Sequence, residues 1–551
     1  MSQLLQHAIT ARAQAHPEST AVVSGGERST YGALEDASNR LGRLLFDAGC
    51  RRGDRVALLM PKTPLAIVSM LGVLKADAMY VPFDPASPPA RLARMLAASD
   101  CRCILAAGSA GPLVQGMLAE AALREPPLIG WIDPDTAPNA DIEPAFTSDD
   151  IASYPAGPIK SSATGDDIAH ILFTSGSTGE PKGVTITHRS VLRFLRWARA
   201  YFGISPADRV SQHPPLHFDL STFDIYGALG AGAELHLVPP ECNLLPHKLA
   251  QFMRESKLTQ WFSVPSVLNL MAKFDVVRPG DFPELRRVMW CGEVIPTPTL
   301  VYWMQRVPHA RFTNLYGPTE ATIASSYYSI PRCPEDASAP VPIGSACDGE
   351  ELMVLDDQLR PVPAGELGEL YIRGEGLSPG YWRDEAKTRS AFLPCPGGAG
   401  PGDRIYRTGD LARRGADGLF HFAGRADAQI KSRGYRIELG EIEAALQTLP
   451  GLREGAVVAV RSHGFESWAI CCAFVPAPEQ GALPAVLREG LARLLPAYML
   501  PVRWLCLEAL PRNANGKIDR PRLRSDFLQG ELQESLPPEE GRPMVESARD
   551  A

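Results

Sequence analysis

The chain has no long run of lysine and arginine. With 63 acidic residues against 55 basic ones and a net charge of −8, it lacks the cationic track that a phosphate backbone requires, so nucleic acid is not expected as a partner. Nor does it contain a long apolar stretch free of charge. The most apolar segment, Pro64 to Phe83, is broken by Lys75 and Asp77, and no membrane span or membrane partner is expected. The N-terminal residues MSQLLQHAITARAQAHPEST show no basic segment leading into an apolar one, so no secretory signal is read there and cytoplasmic residence is expected. The 11 cysteines are odd in number and scattered, and the close pairs Cys101/Cys103 and Cys471/Cys472 lack zinc-ligand spacing. Reduced thiols account for them better than a disulfide frame or a metal site. No internal repeat is visible.

A length of 551 residues exceeds the ~250–300 at which single cores stop growing, so at least two domains are expected. Apolar content of 45% and charged content of 21% are those of an ordinary folded chain. The first half alternates short apolar strand patterns with longer helical ones, as in Arg55–Met60, a helix near Pro64–Lys75, and Ala78–Val81; this predicts βαβ units and an α/β fold with parallel-rich sheets. From about Gly365 the segments GELGELYIRG and DGLFHFAGR suggest short strands of a β-rich subdomain. After Asp427 a separate small α+β domain is expected: a strand Ala428–Ser432, a helix opening at Gly440, strands Gly455–Val460 and Ala469–Val475, and a helix Leu483–Leu495. The domain limits read from the sequence are therefore 1–426 and 427–525, with 526–551, rich in Glu, Pro and Ser, as a disordered tail. That tail shows no carrier-domain pattern, so a carrier is expected from another chain or region.

The strongest motif is the apolar strand Ile171-Leu172-Phe173 running into Thr174-Ser175-Gly176-Ser177-Thr178-Gly179-Glu180-Pro181-Lys182-Gly183. Glycines let backbone N–H groups approach an anion, hydroxyls add donors, and Lys182 supplies a point charge, so the loop suits phosphates. A mobile linker is the bland reading. A Walker A loop is excluded, because Gly183 follows Lys182 where Ser or Thr would be needed. His213 and His217 have i,i+4 spacing, but Pro214 and Pro215 between them forbid the helix of a zinc pair. Gly374, Gly376 and Gly380 have the wrong spacing for a dinucleotide fingerprint and read as turn glycines.

TSGSTGEPKG resembles the phosphate loop of the adenylate-forming superfamily, which includes acyl-CoA synthetases, luciferases and nonribosomal peptide adenylation domains. HFDLSTFDIYGAL from His217, NLYGPTEATI from Asn314, GELYIRGEGLSPGYW from Gly368, YRTGDL from Tyr406, GRADAQIKSRGYRIELGEIE from Gly424 and NANGKIDR from Asn513 follow in the family's order. The resemblance covers nearly the whole chain to about residue 524. It implies a large N-terminal domain and a small C-terminal domain on a hinge at Asp427, ATP and Mg²⁺ as cofactors, and activation of a carboxylate as its adenylate.

Attack of a carboxylate on the α-phosphate needs charge neutralisation and positioning more than covalent chemistry by the protein. By resemblance, Glu320 is the Mg²⁺-associated carboxylate and Thr319 contacts the α-phosphate. Tyr316 offers a flat face to adenine and Asn314 an amide to its exocyclic amine, with Gly292 and Glu293 in the same nucleotide set. Asp410 and Arg425 match the ribose contacts. Lys517 matches the lysine that bridges substrate carboxylate and phosphate or ribose oxygens during adenylation. Rotation of the small domain would then bring the loop Arg433-Gly434-Tyr435 to the site beside a pantetheine channel.

The family's substrate pocket maps here to Asp219, Leu220, Phe223, Phe262, Met289, Cys291, Leu315, Ile323 and Ala324. A buried Asp219 asks for a cationic partner, which an α-ammonium group supplies, so an amino acid is expected. The other positions carry no charge, and the bulk of Phe223, Phe262 and Met289 implies a small to medium apolar side chain. MWCGEVIP and YGPTEATIA resemble D-alanine carrier protein ligases, and Leu220 after Asp219 resembles proline-activating enzymes; alanine and proline lead. The expected reaction is formation of an aminoacyl-AMP and its transfer to the phosphopantetheine thiol of a carrier protein in trans. An acyl- or aryl-CoA ligase is the alternative, disfavoured by Asp219. A non-catalytic relative is a third reading, disfavoured by the presence of Lys517, Glu320 and Asp410.

Overall fold

The computed structural model describes residues 4–534 except 140, 177–178, 244, 399, 401, 462–467, 478–482 and 514–515. It has two compact units. The larger contains the chain up to Pro85, Met95–Phe173 and Gly183–Asp427; the smaller contains Ala86–Arg94, Thr174–Lys182 and the chain from Ala428. Two short N-terminal segments therefore group with the C-terminal stretch, which limits drawn along the sequence do not express.

In the larger unit a nine-stranded sheet has six adjacent parallel strands at its centre: Arg311–Tyr316, Arg287–Trp290, Gln260–Ser263, Arg209–Gln212, Glu234–Leu237 and Thr20–Ser24. Its edges are antiparallel. Strands such as RVMW and QWFS are buried along their whole length, as parallel strands covered on both faces must be. Trp261, Trp290 and Trp303 are fully enclosed around this sheet, and truncating such a ring costs about 3–5 kcal/mol.

A seven-stranded sheet carries Arg55–Leu59, Met79–Pro82 and Cys103–Ala106 in parallel register, with Ile168–Thr174 beside Lys182–Thr187. The helix expected over Pro64–Lys75 has those bounds. A third, antiparallel sheet holds Glu350–Leu355, Gly368–Gly374, Phe392–Pro394, Arg404–Arg414 and Phe420–Arg425. The β-rich portion thus starts at Glu350, earlier than Gly365, because the acidic pair Glu350–Glu351 hides the first strand's alternation.

The smaller unit has a hairpin, Gln429–Ser432 with Tyr435–Glu438. Its two-residue turn places Arg433 at φ 52° and Gly434 at φ 82°, the paired left-handed conformations that match the twist of tight hairpins. The helix Leu439–Gln447 and the sheet Leu452–Arg461, Trp468–Pro476 and Arg503–Cys506 follow. The helix Pro484–Leu494 agrees with the expected one. The expected tail from 526 is corrected over its first part: a helix spans Arg520–Glu534, with Leu523 and Phe527 packed against Val458 and Cys471. That i,i+4 apolar pair supplies the burial that Glu- and Pro-rich composition alone does not. The rest of that tail, 535–551, lies outside the described residues. Among the described residues no helix is long and apolar enough to cross a membrane.

Candidate active site

In the larger unit the strand Arg311–Tyr316, third from one edge of the nine-stranded sheet, carries Asn314 and Tyr316, both buried. Asn314 Nδ2 donates to the Pro342 carbonyl at 2.8 Å, which fixes the amide and leaves its oxygen side for a base amine. The Tyr316 hydroxyl donates to Asp410 Oδ2 at 2.5 Å, and Arg425 Nη1 donates to Asp410 Oδ1 at 2.6 Å. The same guanidinium grips Asp427 through Nε at 2.7 Å and Nη2 at 2.6 Å. Burial, with the Asp410 charge next in size, pushes the Tyr316 phenol well above its ordinary range, so it acts as a donor. Each Asp410 oxygen keeps a second lone pair for a ligand hydroxyl.

Thr319 and Glu320 sit in the short 3-10 turn Thr319–Ala321. Glu320 is fully buried, and Oε1 accepts the Tyr381 hydroxyl at 2.8 Å. Immediately beyond, Thr322 and Ile323 adopt φ of 57° and 73°. Two β-branched residues in the left-handed region cost on the order of 1–3 kcal/mol each. The Thr322 hydroxyl, donating to the Gly376 carbonyl at 2.6 Å, holds them there. This strained turn separates Glu320 from Ile323 and Ala324, which join a buried apolar cluster.

Asp219 is the first residue of the helix Asp219–Ala231 and is 8% exposed; the helix N-terminus favours its charged form. Leu220, Phe223, Phe262, Met289, Cys291, Leu315, Ile323 and Ala324 are all buried in one apolar cluster. Phe262 and Met289 are register partners on neighbouring strands, and the Phe223 and Phe262 rings meet edge to face at 5.5 Å. Next to Cys291 lies Cys347, whose thiol is pushed well up by burial and by the neighbouring Glu350 carboxylate and Cys291. Burial moves Glu350 up to about 7, opposed by the Gly376 N–H and by Arg193. Gly292 has φ 96°, and Glu293 Oε2 accepts the Ser266 N–H at 3.0 Å, capping the start of the helix Pro265–Lys273. One oxygen of that nucleotide-site candidate is therefore spent on a helix terminus.

In the smaller unit the hydroxyl of Thr174 is buried with no hydrogen-bond partner among the described residues, an orphan that a bound anion would satisfy. Ser175 Oγ donates to the Arg436 carbonyl at 2.6 Å and accepts the Glu438 N–H at 3.2 Å. Gly176 N–H reaches Glu441 Oε2 at 3.3 Å, and a Cβ at Gly176 would lie 2.1 Å from the Glu180 carbonyl, so only glycine closes this loop. Gly179 has φ 90°, and Lys182 opens the strand Lys182–Thr187; Ser177 and Thr178 lie outside the described residues. Glu441 also pairs with Arg91, and both are buried. Lys517 lies in an exposed turn, its N–H donating to Asn513 Oδ1 at 3.1 Å. Arg433 and Gly434 form the hairpin tip.

Sequence reasoning passed over Tyr381, Arg91 and Glu441. Tyr381 stood in GYW and Glu441 in GEIE, but their partners lie 61 and 350 positions away. No group of three or more His, Cys, Asp or Glu able to hold a metal occurs among the described residues. Glu320, a buried carboxylate that already accepts the Tyr381 hydroxyl, fits Mg²⁺ held chiefly by phosphate oxygens and water.

The sequence model of AMP-binding enzymes matches residues 9–382, and that of the AMP-binding enzyme C-terminal domain matches 441–517. The isonitrile lipopeptide synthase of Mycobacterium tuberculosis is 39% identical over 507 residues, covering 91% of this chain and 18% of that protein. Phosphinothricin tripeptide synthetase PhsC of Streptomyces viridochromogenes is 37% identical over 527 residues, covering 96% and 45%. The chain thus spans less than half the length of both. Among solved structures, the Vibrio cholerae adenylation domain AlmE in complex with glycyl-adenosine-5'-phosphate superposes with a TM-score of 0.81 at 26% identity, covering 96% of this chain and 98% of that one. An NRPS protein containing adenylation and PCP domains, bound to a vinylsulfonamide inhibitor, gives 0.77 at 26% identity, covering 97% and 88%.

Proposed function

This chain belongs to the AMP-binding enzymes, and from that premise we propose that it activates a small to medium apolar amino acid with ATP as an aminoacyl-AMP. Pyrophosphate leaves, and the aminoacyl group passes to the phosphopantetheine thiol of a carrier protein supplied in trans. The observation that carries the reading is Asp219, a buried carboxylate at a helix N-terminus next in sequence to Leu220 of a buried apolar cluster. An α-ammonium group is the cation such a carboxylate suits, and an aliphatic side chain suits apolar surroundings. Alanine and proline are the leading substrates.

In this proposal Asn314 and Tyr316 hold adenine, with Gly292 and Glu293 alongside, while Asp410 and Arg425 hold the ribose. Thr174, Ser175, Gly176, Ser177, Thr178, Gly179, Thr319 and Lys182 receive phosphate. Glu320 would hold Mg²⁺, which neutralises phosphate charge when bound. Lys517 supplies the positive charge that stabilises the adenylation transition state. Asp427 serves as the hinge, and Arg433 and Gly434 serve the transfer step. The limits 1–426 and 427–525 are the proposed functional domains, and the cytoplasm is the proposed compartment. The adenylation domain AlmE, solved with a glycyl adenylate, supports an amino acid as substrate.

The test is ATP–pyrophosphate exchange by the purified protein across L- and D-amino acids, aryl acids and fatty acids. One amino acid strongly preferred, and lost on Asp219→Ala, is the expected outcome. Preference for an acid without an amine, with thioester formation on free coenzyme A, would instead establish an acyl-CoA ligase.

A further inference from the structure

Lys62 lies between the strand Arg55–Leu59 and the helix Pro64–Lys75, outside every motif considered above. Its ammonium donates to the carbonyls of Gln212 and His213, each at 2.9 Å. These carbonyls end the strand Arg209–Gln212 and begin the irregular segment that leads to Asp219. Gln212 Nε2 donates to the Pro214 carbonyl at 2.6 Å, and Ser221 Oγ to the carbonyls of Leu216 and Phe218 at 3.2 and 2.7 Å. The segment is thus fixed by side-chain donors acting on its carbonyls, and Lys62 is the charged one.

Asp224 supplies the opposite charge from the helix Asp219–Ala231. It is fully buried, and neither carboxylate oxygen has a hydrogen-bond partner among the described residues; Lys62 and the His213 N–H both favour its charged form. Burial draws the Lys62 ammonium down to about 7 while Asp224, then Cys242, oppose it. Burial likewise pushes Asp224 well up while Lys62 draws it back. Each charge lowers the cost of burying the other, while burial remains the larger influence on both.

We infer that Lys62 is a positioning residue for amino-acid binding: by holding the Gln212 and His213 carbonyls, with Asp224 as counter-charge, it fixes the segment that places Asp219. The inference rests on the role proposed for Asp219.

The test uses the full chain as Lys62→Met and, because an uncompensated Asp224 could unfold that variant, as Lys62→Met/Asp224→Asn. Amide hydrogen exchange over 213–219 and the KM values for amino acid and ATP in pyrophosphate exchange are measured. Expected are at least tenfold faster amide exchange in that segment, at least a tenfold rise in amino-acid KM, and an ATP KM within twofold of wild type, in the double variant too. Unchanged protection overturns the inference, as do equal rises in both KM values or restoration of wild-type behaviour by the double variant. Failure of both variants to fold also overturns it, leaving a purely structural pair. If the wild type shows no amino-acid-dependent exchange, the adenylation reading falls, while the protection data still decide whether Lys62 holds the segment.

Discussion

Tyr316 and Asp410, 94 positions apart, meet in a 2.5 Å phenol-to-carboxylate hydrogen bond, and Arg425 takes the other carboxylate oxygen. The carboxylate proposed to receive the ribose is therefore oriented before any nucleotide arrives. Tyr316→Phe keeps the ring and removes one donor to a charged acceptor, worth about 1.5–3 kcal/mol. ATP KM in pyrophosphate exchange should rise roughly tenfold or more with amino-acid KM unchanged. Asp410→Ala should be worse, because it also leaves Arg425 without this partner.

Lys517→Ala should lower adenylation by about 10²–10³-fold, the scale of one preorganised transition-state contact. Transfer from preformed aminoacyl-AMP to a carrier thiol should survive. Single-turnover assays of the two half-reactions separate the outcomes, and equal loss of both would contradict distinct roles for Lys517 and the Arg433–Gly434 hairpin.

The buried pair Arg91 and Glu441 should govern stability within the smaller unit. Glu441→Ala leaves a buried guanidinium without its charge partner, at a cost of about 3–5 kcal/mol. Hydrogen exchange in the helix Leu439–Gln447 under increasing urea reads this directly; a change below about 1 kcal/mol would show that water replaces the carboxylate.

Glu350 is raised from 4.5 to about 7 chiefly by burial. The folded protein binds this proton more tightly than the unfolded chain, so the contribution is complete below pH 4.5 and lost as pH rises through about 7. The shift corresponds to about 3 kcal/mol. Glu350→Gln should therefore flatten the stability profile between those values and be the more stable form at pH 8. Urea midpoints at a series of pH values check this, and parallel profiles for wild type and variant would refute it.

The chemistry-bearing residues were legible wherever motif and local geometry coincide. TSGSTGEPKG stands out as a phosphate-loop candidate, NLYGPTE as the segment that carries Asn314, Tyr316 and Glu320, and HFD as the source of the carboxylate that opens the helix Asp219–Ala231, because a tight loop or helix start needs particular residues at fixed spacing. What these residues touch was not legible. Glu293, a nucleotide-site candidate in the sequence, also caps a neighbouring helix. Thr322 and Ile323 take a backbone conformation that their side chains disfavour, a strain no propensity scale would place there. The helix Arg520–Glu534 enters a composition that suggests disorder, because Leu523 and Phe527 find a core to fill.

By itself the sequence determined the α/β alternation, the order of the motifs and the uncharged side chains at the candidate pocket positions after Asp219, since periodicity and side-chain chemistry are local properties. Only the tertiary structure decided that Arg91 faces Glu441 across 350 positions and that Lys62 reaches the His213 carbonyl across 151. A buried charge or carbonyl selects its partner by distance in the folded core, and that distance exists only once sheets and helices have packed.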